Sequence, residues 1–493
     1  MSELTGNSVK ISGECACAES LHAVFLRCGL YRRKRGGVEI KMKTDNVTMT
    51  KGPIFRQIIL FAIPLVLTSI LQQLYNTMDS VVIGRFSSSL AFAGVGGSAS
   101  LIALATNLFI GLSTGASIVA AQCFGARDKD GVEKTVHTSV AMSIICGIFM
   151  TFIGLMITRP ALIAMDTPEE VLPYAAKYTS IYFLGILPTL LYCFLAGILR
   201  AVGDSKRPLY YLIISAALNV VLNLFFVVIL KMDVDGVAIA TIISQTLCCV
   251  LALARLTRVH DIYRFDIKKL KIHKAYLIKI LRIGVPTGLN SCLFSISNVV
   301  IQSTINKFGA AAVAGCSADM IVENFVYMPM NAIGIAATTF AGQNMGAGLY
   351  DRIKKGMWCS LVLVTAVGLA LGLSTMMLGS KVLKLFINSA DAGIEDIIKF
   401  GLERMNVVSV SYFLCGMMEV VGGTIRGLGN SFMPMIITFF GVCGLRILWI
   451  YTILPFNNTI GMLFISYPLS WLISIIGLFI YYCRTIRIKE KGV

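Results

Sequence analysis

Four acidic side chains lie in sequence that is otherwise almost free of charge, and these are the residues best placed to do chemistry. Asp79 follows 22 uncharged residues, 57–78. Asp319 and Glu323 stand four residues apart, and Glu419 separates the uncharged segments 405–418 and 420–425. An acid at the centre of a membrane-crossing helix costs about 3 kcal/mol, so such acids are usually functional or paired. Reversible binding of a proton or a monovalent cation is the chemistry they could perform.

A position at the edge of the membrane is the alternative reading for two of these acids. Asp79 could lie at the interfacial end of its helix, and Asp319 could mark a helix boundary. Glu323 and Glu419 lie deeper, which favours function. Asp319 and Glu323 would share one helix face, where like charges repel unless one is protonated or a cation lies between them.

Two asparagines, Asn219 and Asn223, also stand four residues apart in an apolar segment, so they share one helix face. Their oxygens could help to bind a cation. The alternative is that they form hydrogen bonds between helices.

Enzymatic chemistry is disfavoured. The four histidines are scattered at 22, 137, 260 and 273, and no His-Glu-x-x-His, Gly-x-Ser-x-Gly or phosphate-binding loop motif occurs. Most of the 14 cysteines lie inside apolar runs, where they act as small hydrophobic residues. The sequence therefore predicts no enzyme, no metal site, no cofactor and no use of ATP.

Long apolar segments must position these side chains. Hydrophobic residues make up 56% of the 493 residues and charged residues 14%, and the mean hydropathy is +0.78. A soluble domain carries about a quarter charged residues. Segments of about 20 apolar residues, enough to cross a bilayer, recur along the chain. They predict an all-α polytopic membrane protein with twelve transmembrane helices.

The formal charge of +17 reflects basic clusters at the ends of these segments. The clusters follow spans 2, 4, 6, 8 and 12, and residues 255–279 alone hold eight Lys and Arg. By the positive-inside rule, both termini and the 255–279 linker face the cytoplasm. This distribution points to a bilayer partner and to no nucleic acid.

An internal repeat divides the chain into two halves. Three blocks recur in the same order at offsets of 222, 221 and 226 residues: 62–64 with 284–286, 121–126 with 342–347, and 197–205 with 423–431. A six-span unit returns to its starting side, so the halves are parallel repeats. This geometry predicts a central cavity between two lobes that can rock.

The predicted organisation follows from the repeat. Residues 1–41 are polar and unlike the rest, and are expected to be a disordered or non-native extension before Met42. The N-lobe comprises 42–254 (spans 1–6), the basic linker 255–279, the C-lobe 280–484 (spans 7–12), and the cytoplasmic tail 485–493.

Several of these segments resemble the multidrug and toxic compound extrusion (MATE) family. The resemblance is carried by residues 71–80 (LQQLYNTMDS), by the two Gln-x-x-Gly-Ala blocks and by the two Arg-x-x-Gly-x-Ser blocks. It covers about 55–485. It implies two parallel six-helix bundles and cation-coupled export of organic, often cationic and aromatic, compounds.

The resemblance also implies a binding site. Asp79, Asn219, Asn223 and Thr241 correspond to a cation or proton site in the N-lobe, but Asn223 is neutral where related chains often carry Asp. Because the N-lobe then retains one carboxylate and the C-lobe holds three acids, coupling is expected to lean on the C-lobe. The side chains suggested for a substrate cavity are Tyr75, Asn76, Tyr182, Tyr327 and Met328.

The sequence therefore predicts a secondary active exporter that exchanges organic compounds for H⁺ or Na⁺ by alternating access. It is expected to work as a monomer in a bacterial plasma membrane. A flippase of lipid-linked precursors with the same fold is the first alternative. A membrane-embedded enzyme is a less favoured one.

Overall fold

The computed structural model describes residues 48–384 and 393–490, together with two short strands nearer the N-terminus. Strands β1 (Arg32–Lys34) and β2 (Gly37–Glu39) pair antiparallel. The rest of the predicted extension, 1–41, lies outside the described residues.

The described residues then form eleven helices and one bent helix pair that can cross a membrane, which confirms the predicted fold class. Eleven are single helices long and apolar enough to span a bilayer, and one bent pair makes the twelfth. The N-lobe helices are α1 (Ile54–Phe86), α2 (Ser89–Gly125), α3 (Lys129–Ala164), α4 (Leu172–Leu184 with Ile186–Ala201), α5 (Lys206–Ile229) and α6 (Val234–Arg258). The C-lobe helices are α7 (Lys274–Asn306), α8 (Ala310–Gly346), α9 (Tyr350–Leu383), α10 (Ile394–Gly427), α11 (Phe432–Phe456) and α12 (Ile460–Glu490).

Local sequence explains several helix ends. Ser88 caps α2 by accepting a hydrogen bond from the Ala91 amide at 3.1 Å, and Asp128 caps α3 through the Gly131 amide at 2.9 Å. The long uncharged segment 86–126 accordingly contains a short turn followed by one helix. Helix α4 bends by 51° at Gly185, three residues before Pro188, whose ring disfavours an unbroken helix.

Helices extend into the segments that the sequence assigns to the linker and to the tail. Helix α6 continues to Arg258 and α7 begins at Lys274, so the linker between them is shorter than 255–279. Helix α12 runs to Glu490, so the segment assigned to the tail starts as part of the last helix.

Small residues bring the two lobes together along α2, α7 and α8. A Cβ added at Gly111 would lie 2.3 Å from the Gly288 Cα, and one at Gly115 would lie 2.8 Å from the Gly284 Cα. Only glycine allows backbones to approach this closely. The start of α1 also crosses between lobes, because Ile58, Phe61 and Leu65 belong to the core of the C-lobe.

Candidate functional site

The four predicted N-lobe residues meet in one buried cluster between α1, α5 and α6. Asn223 Nδ2 donates to Asp79 Oδ1 at 2.6 Å, and Thr241 Oγ1 donates to Asp79 Oδ2 at 3.2 Å. The same Asn223 nitrogen donates to Asn219 Oδ1 at 3.1 Å. Asp79 is 5% exposed, so its carboxylate lies inside the lobe among protein groups.

In the part of the chain that the structure describes, no basic side chain lies beside Asp79. Among the described residues it forms no salt bridge, and its contacts are amide and hydroxyl donors. Asn219 Nδ2 and Asn223 Oδ1 are buried without partners. The cluster therefore holds a single carboxylate that is surrounded by neutral hydrogen-bond donors.

The C-lobe acids are placed differently. Asp319 Oδ2 lies 2.5 Å from Arg404 Nη1, and Glu323 pairs with the other terminal nitrogen of the same guanidinium. Tyr412 donates a further hydrogen bond to Glu323 at 2.8 Å. Asp319 is fully buried within the C-lobe. Arg404 is the cation that allows these two acids to lie side by side.

Glu419 also has a basic partner. Arg426 Nη2 lies 3.0 Å from Glu419 Oε2, seven residues along α10. Arg426 and its repeat equivalent Arg200 lie in the last turns of α10 and α4. In the described structure neither guanidinium bonds to a helix-end carbonyl, and both face a cavity.

This cavity lies between the lobes and has a volume of about 670 Å³, a size that accommodates a drug-sized organic molecule. Its walls come mainly from α2, α7, α8, α10 and α12. Charged, amide and aromatic side chains line it: Arg200, Glu323, Glu419, Arg426 and Arg446; Asn107, Asn290, Asn298, Asn324 and Asn331; Phe294, Tyr327, Tyr412, Tyr467 and Trp471.

Only one of the five residues suggested for the substrate cavity lines it, namely Tyr327. Tyr75 lies beside the Asp79 cluster, where its hydroxyl is 3.5 Å from the Thr241 carbonyl. Tyr182 packs near Tyr178, Met328 is buried in the C-lobe, and Asn76 is exposed. Hydropathy alone does not tell which face of each helix turns towards the gap between the lobes.

Sequence reasoning missed Arg404 and Arg446. Both border uncharged segments, so they read as residues that end a span. Helix α10 begins ten residues before Arg404, however, and Arg446 lies inside α11 with 2% of its surface exposed. The available signal was the helix length, since 34 residues extend about 51 Å at 1.5 Å per residue, beyond the ~30 Å core of a bilayer.

The repeated blocks form a reciprocal contact at the end of the molecule that carries the basic loops. Gln122 of the N-lobe donates to the Gly427 carbonyl at 2.8 Å, and Gln343 of the C-lobe donates to the Ala201 carbonyl at 2.7 Å. Gln343 also accepts from the Met49 amide at 3.0 Å. Among the described residues, every side-chain hydrogen bond between lobes lies at this end. We call this contact the inter-lobe seal.

Comparison with known sequences agrees with the repeat. The family described as MatE matches the chain twice, over residues 64–225 and 286–452. The "Probable multidrug resistance protein YoeA" of Bacillus subtilis (strain 168) is 27% identical over 445 residues, covering 88% of this chain and 94% of that protein. The "Probable multidrug resistance protein NorM" of Thermotoga maritima is 24% identical, covering 80% and 84%.

Solved structures share the fold. A crystal structure of a MATE protein in a bent conformation superposes with a TM-score of 0.84 at 22% identity. The match covers 92% of this chain and 99% of that one. The fold of this chain is therefore that of a solved MATE protein.

Proposed function

The chain belongs to the MatE family of multi-pass membrane transporters, and from that premise we propose that it exports organic compounds in exchange for protons. The observation that carries this proposal is the uncompensated, buried carboxylate of Asp79. In a low-dielectric interior an isolated carboxylate is costly, so loading and unloading one proton changes the energy of the lobe strongly.

The donors around Asp79 favour a proton over sodium. Each carboxylate oxygen accepts one hydrogen bond, and Asn223 presents its amide nitrogen to the acid. A sodium ion needs several oxygen ligands, and this chain has a neutral amide at 223 where chains that it resembles often supply a second carboxylate. A proton needs one free lone pair on the carboxylate. The neutral side chain at 223 therefore supports proton exchange at a single acid.

The C-lobe acids suit this role less well. Arg404 neutralises part of the charge of Asp319 and Glu323, and Arg426 neutralises Glu419. Each of these three acids has a guanidinium within salt-bridge distance, whereas Asp79 has none among the described residues. For this reason our proposal assigns proton coupling to the N-lobe, where the sequence had suggested the C-lobe.

Alternating access follows in the proposal from the position of the cavity. The inter-lobe seal closes the end that carries the basic loops, which by the positive-inside rule faces the cytoplasm. We infer that this state opens outwards, and that the opposite state forms when the seal separates. The protein would lie in a bacterial plasma membrane with both termini in the cytoplasm.

Proteoliposomes test the exchange. We suggest three dyes that carry one fluorophore and differ in charge: dansylglycine, dansylamide and dansylcadaverine. With an acidic lumen, exchange for protons is expected to drive at least one dye into the vesicles above the level of protein-free liposomes. A sodium gradient at equal pH is expected to drive none.

The variant Asp79→Asn should abolish this uptake because an amide cannot exchange a proton, while its oxygen still accepts a hydrogen bond from one of the two donors. The matched control is Asp351→Asn, whose side chain is 89% exposed, and which should transport like the parent. Uptake of all three dyes by Asp79→Asn at the parent rate, or uptake driven by sodium alone, would contradict the proposal.

A further inference from the structure

Positive side chains outnumber negative side chains around the central cavity. Three guanidiniums, Arg200, Arg426 and Arg446, and two carboxylates, Glu323 and Glu419, line it. Directly behind them lie Arg404 and Asp319, bonded to each other and to Glu323. Four guanidiniums therefore accompany three carboxylates, and one positive charge is uncompensated.

Both acids of the cavity already have close partners. Glu419 pairs with Arg426 at 3.0 Å. Glu323 pairs with Arg404 and accepts from Tyr412. A cationic ligand would have to compete with these guanidiniums for the carboxylates, which is unfavourable at a desolvated site.

Arg446 has no acidic partner among the described residues. Its Nε donates to Ser470 Oγ at 3.1 Å, and its guanidinium lies 3.9 Å from the centre of the Tyr467 ring and 5.7 Å from that of Trp471. Stacking holds the planar group in place while its charge stays available to a ligand. With 2% of its surface exposed, it is poorly placed for water to solvate it.

Arg200 lacks an acidic partner in the part of the chain that the structure describes, and the repeat explains why. At the offset of 226 residues, Arg200 corresponds to Arg426, and Cys193 corresponds to Glu419. The position that supplies an acid in the C-lobe therefore supplies a thiol in the N-lobe. Guanidiniums without acids thus face the cavity from both lobes.

We infer that the cavity binds organic monoanions, in which a carboxylate, sulfonate or similar group is attached to an aromatic body. The anionic group would offset the extra guanidinium charge through bidentate hydrogen bonds. The aromatic body would contact rings such as Tyr327, Tyr467 and Trp471. This substrate class rests on the proposed export function and differs from the cationic compounds that the family resemblance suggests.

Binding of the three dansyl dyes to the purified full-length protein tests the charge preference without requiring transport. The change in dansyl fluorescence is expected to show dansylglycine, the anion, binding at least about tenfold more tightly than dansylcadaverine, the cation. Arg446→Gln should weaken dansylglycine about tenfold and leave the neutral dansylamide unchanged. Lys129→Gln, an exposed charge at the start of α3, is the matched control.

A second variant keeps the test decisive if loss of an arginine disturbs folding. Cys193→Glu should recreate beside Arg200 the pair that Glu419 forms with Arg426, and should thereby reduce the preference for the anion about tenfold. The parent protein binding the cation as tightly as the anion would overturn the inference. So would an unchanged charge preference in both variants, or no binding of dansylglycine.

The outcomes separate this inference from the function proposed above. Anion binding without uptake in proteoliposomes would support the substrate class and refute proton-coupled export. Uptake of dansylcadaverine with no binding of dansylglycine would support export and refute the substrate class.

Discussion

The two lobes treat their buried acids in opposite ways. The N-lobe surrounds Asp79 with neutral donors from Asn223 and Thr241. The C-lobe gives Asp319 and Glu323 a shared arginine and gives Glu419 another. A buried carboxylate without a cation carries the whole cost of its own charge, whereas one beside a guanidinium is partly compensated. The comparison teaches that acids alike in sequence can differ in the partners that the fold gives them, which a count of acids does not show.

The repeat makes the contrast sharper. At the offset of 226 residues, Asn219 and Asn223 correspond to Leu445 and Trp449, and Arg446 corresponds to Val220. The blocks that build the inter-lobe seal are similar in both halves. The polar residues inside the lobes are not. The two halves thus share the residues that contact each other at the inter-lobe seal and differ in the polar residues buried inside each lobe.

The largest expected effect comes from removing the cation of the C-lobe. Arg404→Met would leave Asp319 and Glu323 side by side without compensation, and should lower the free energy of unfolding by roughly 3–5 kcal/mol. Asp79→Asn should change it by about 1 kcal/mol or less. Thermal unfolding in detergent, followed by tryptophan fluorescence, compares the two variants.

A triple variant, Asp319→Asn with Glu323→Gln and Arg404→Met, serves as the control for that prediction. Removing both charges of a buried pair costs far less than removing one, so much of the lost stability should return. If Arg404→Met proved as stable as the parent, the contrast between the lobes would lose its physical basis.

A smaller effect, equal in both lobes, is expected at the inter-lobe seal. An added Cβ at Gly125 would lie 1.9 Å from the Gln343 carbonyl oxygen, and one at Gly346 would lie 1.9 Å from the Gln122 carbonyl oxygen. Gly125→Ala and Gly346→Ala should each lower the free energy needed to separate the lobes at the seal by about 1–3 kcal/mol. Hydrogen–deuterium exchange should rise in the segments 118–126 and 340–347.

Gly97→Ala, in the same helix as Gly125, is the matched control, because nothing lies within 4 Å of a Cβ added there. It should leave exchange unchanged. A rise in exchange for one seal variant and none for the other would show that the reciprocal contact is not equivalent in the two halves.

The smallest effect should be unequal between the lobes. Gln343 makes two buried bonds, to Ala201 and Met49, whereas Gln122 makes one close bond, to Gly427. At about 1 kcal/mol per bond, Gln343→Ala should destabilise the seal about twice as much as Gln122→Ala. Hydrogen–deuterium exchange of the same segments measures both, and equal effects would argue against the extra role of Met49.

Much of the fold could be predicted because its signals are local. A bilayer demands about 20 apolar residues per helix, so twelve spans were visible in the hydropathy. The repeat was visible because Gln122, Gly125 and their equivalents recur in order. That these blocks contact each other across the lobes could not be predicted from their similarity.

The candidate site was predicted in part. The spacing of Asn219 and Asn223 placed them on one face, and the family resemblance associated them with Asp79 and Thr241. Arg404 was missed because its partners, Asp319 and Glu323, lie 85 and 81 residues away in the chain. The cavity residues were mostly missed because hydropathy does not tell which face of a buried helix turns towards a gap.

The sequence by itself determined the membrane class, the number of spans, the two halves and the presence of acids within them. Those properties depend on the composition and spacing of residues close together in the chain. Only the tertiary structure decided which acid stays without a cation and which arginine stays without an acid. The charge state of a buried group depends on the atoms within a few ångströms of it, and helices from distant parts of the chain supply those atoms.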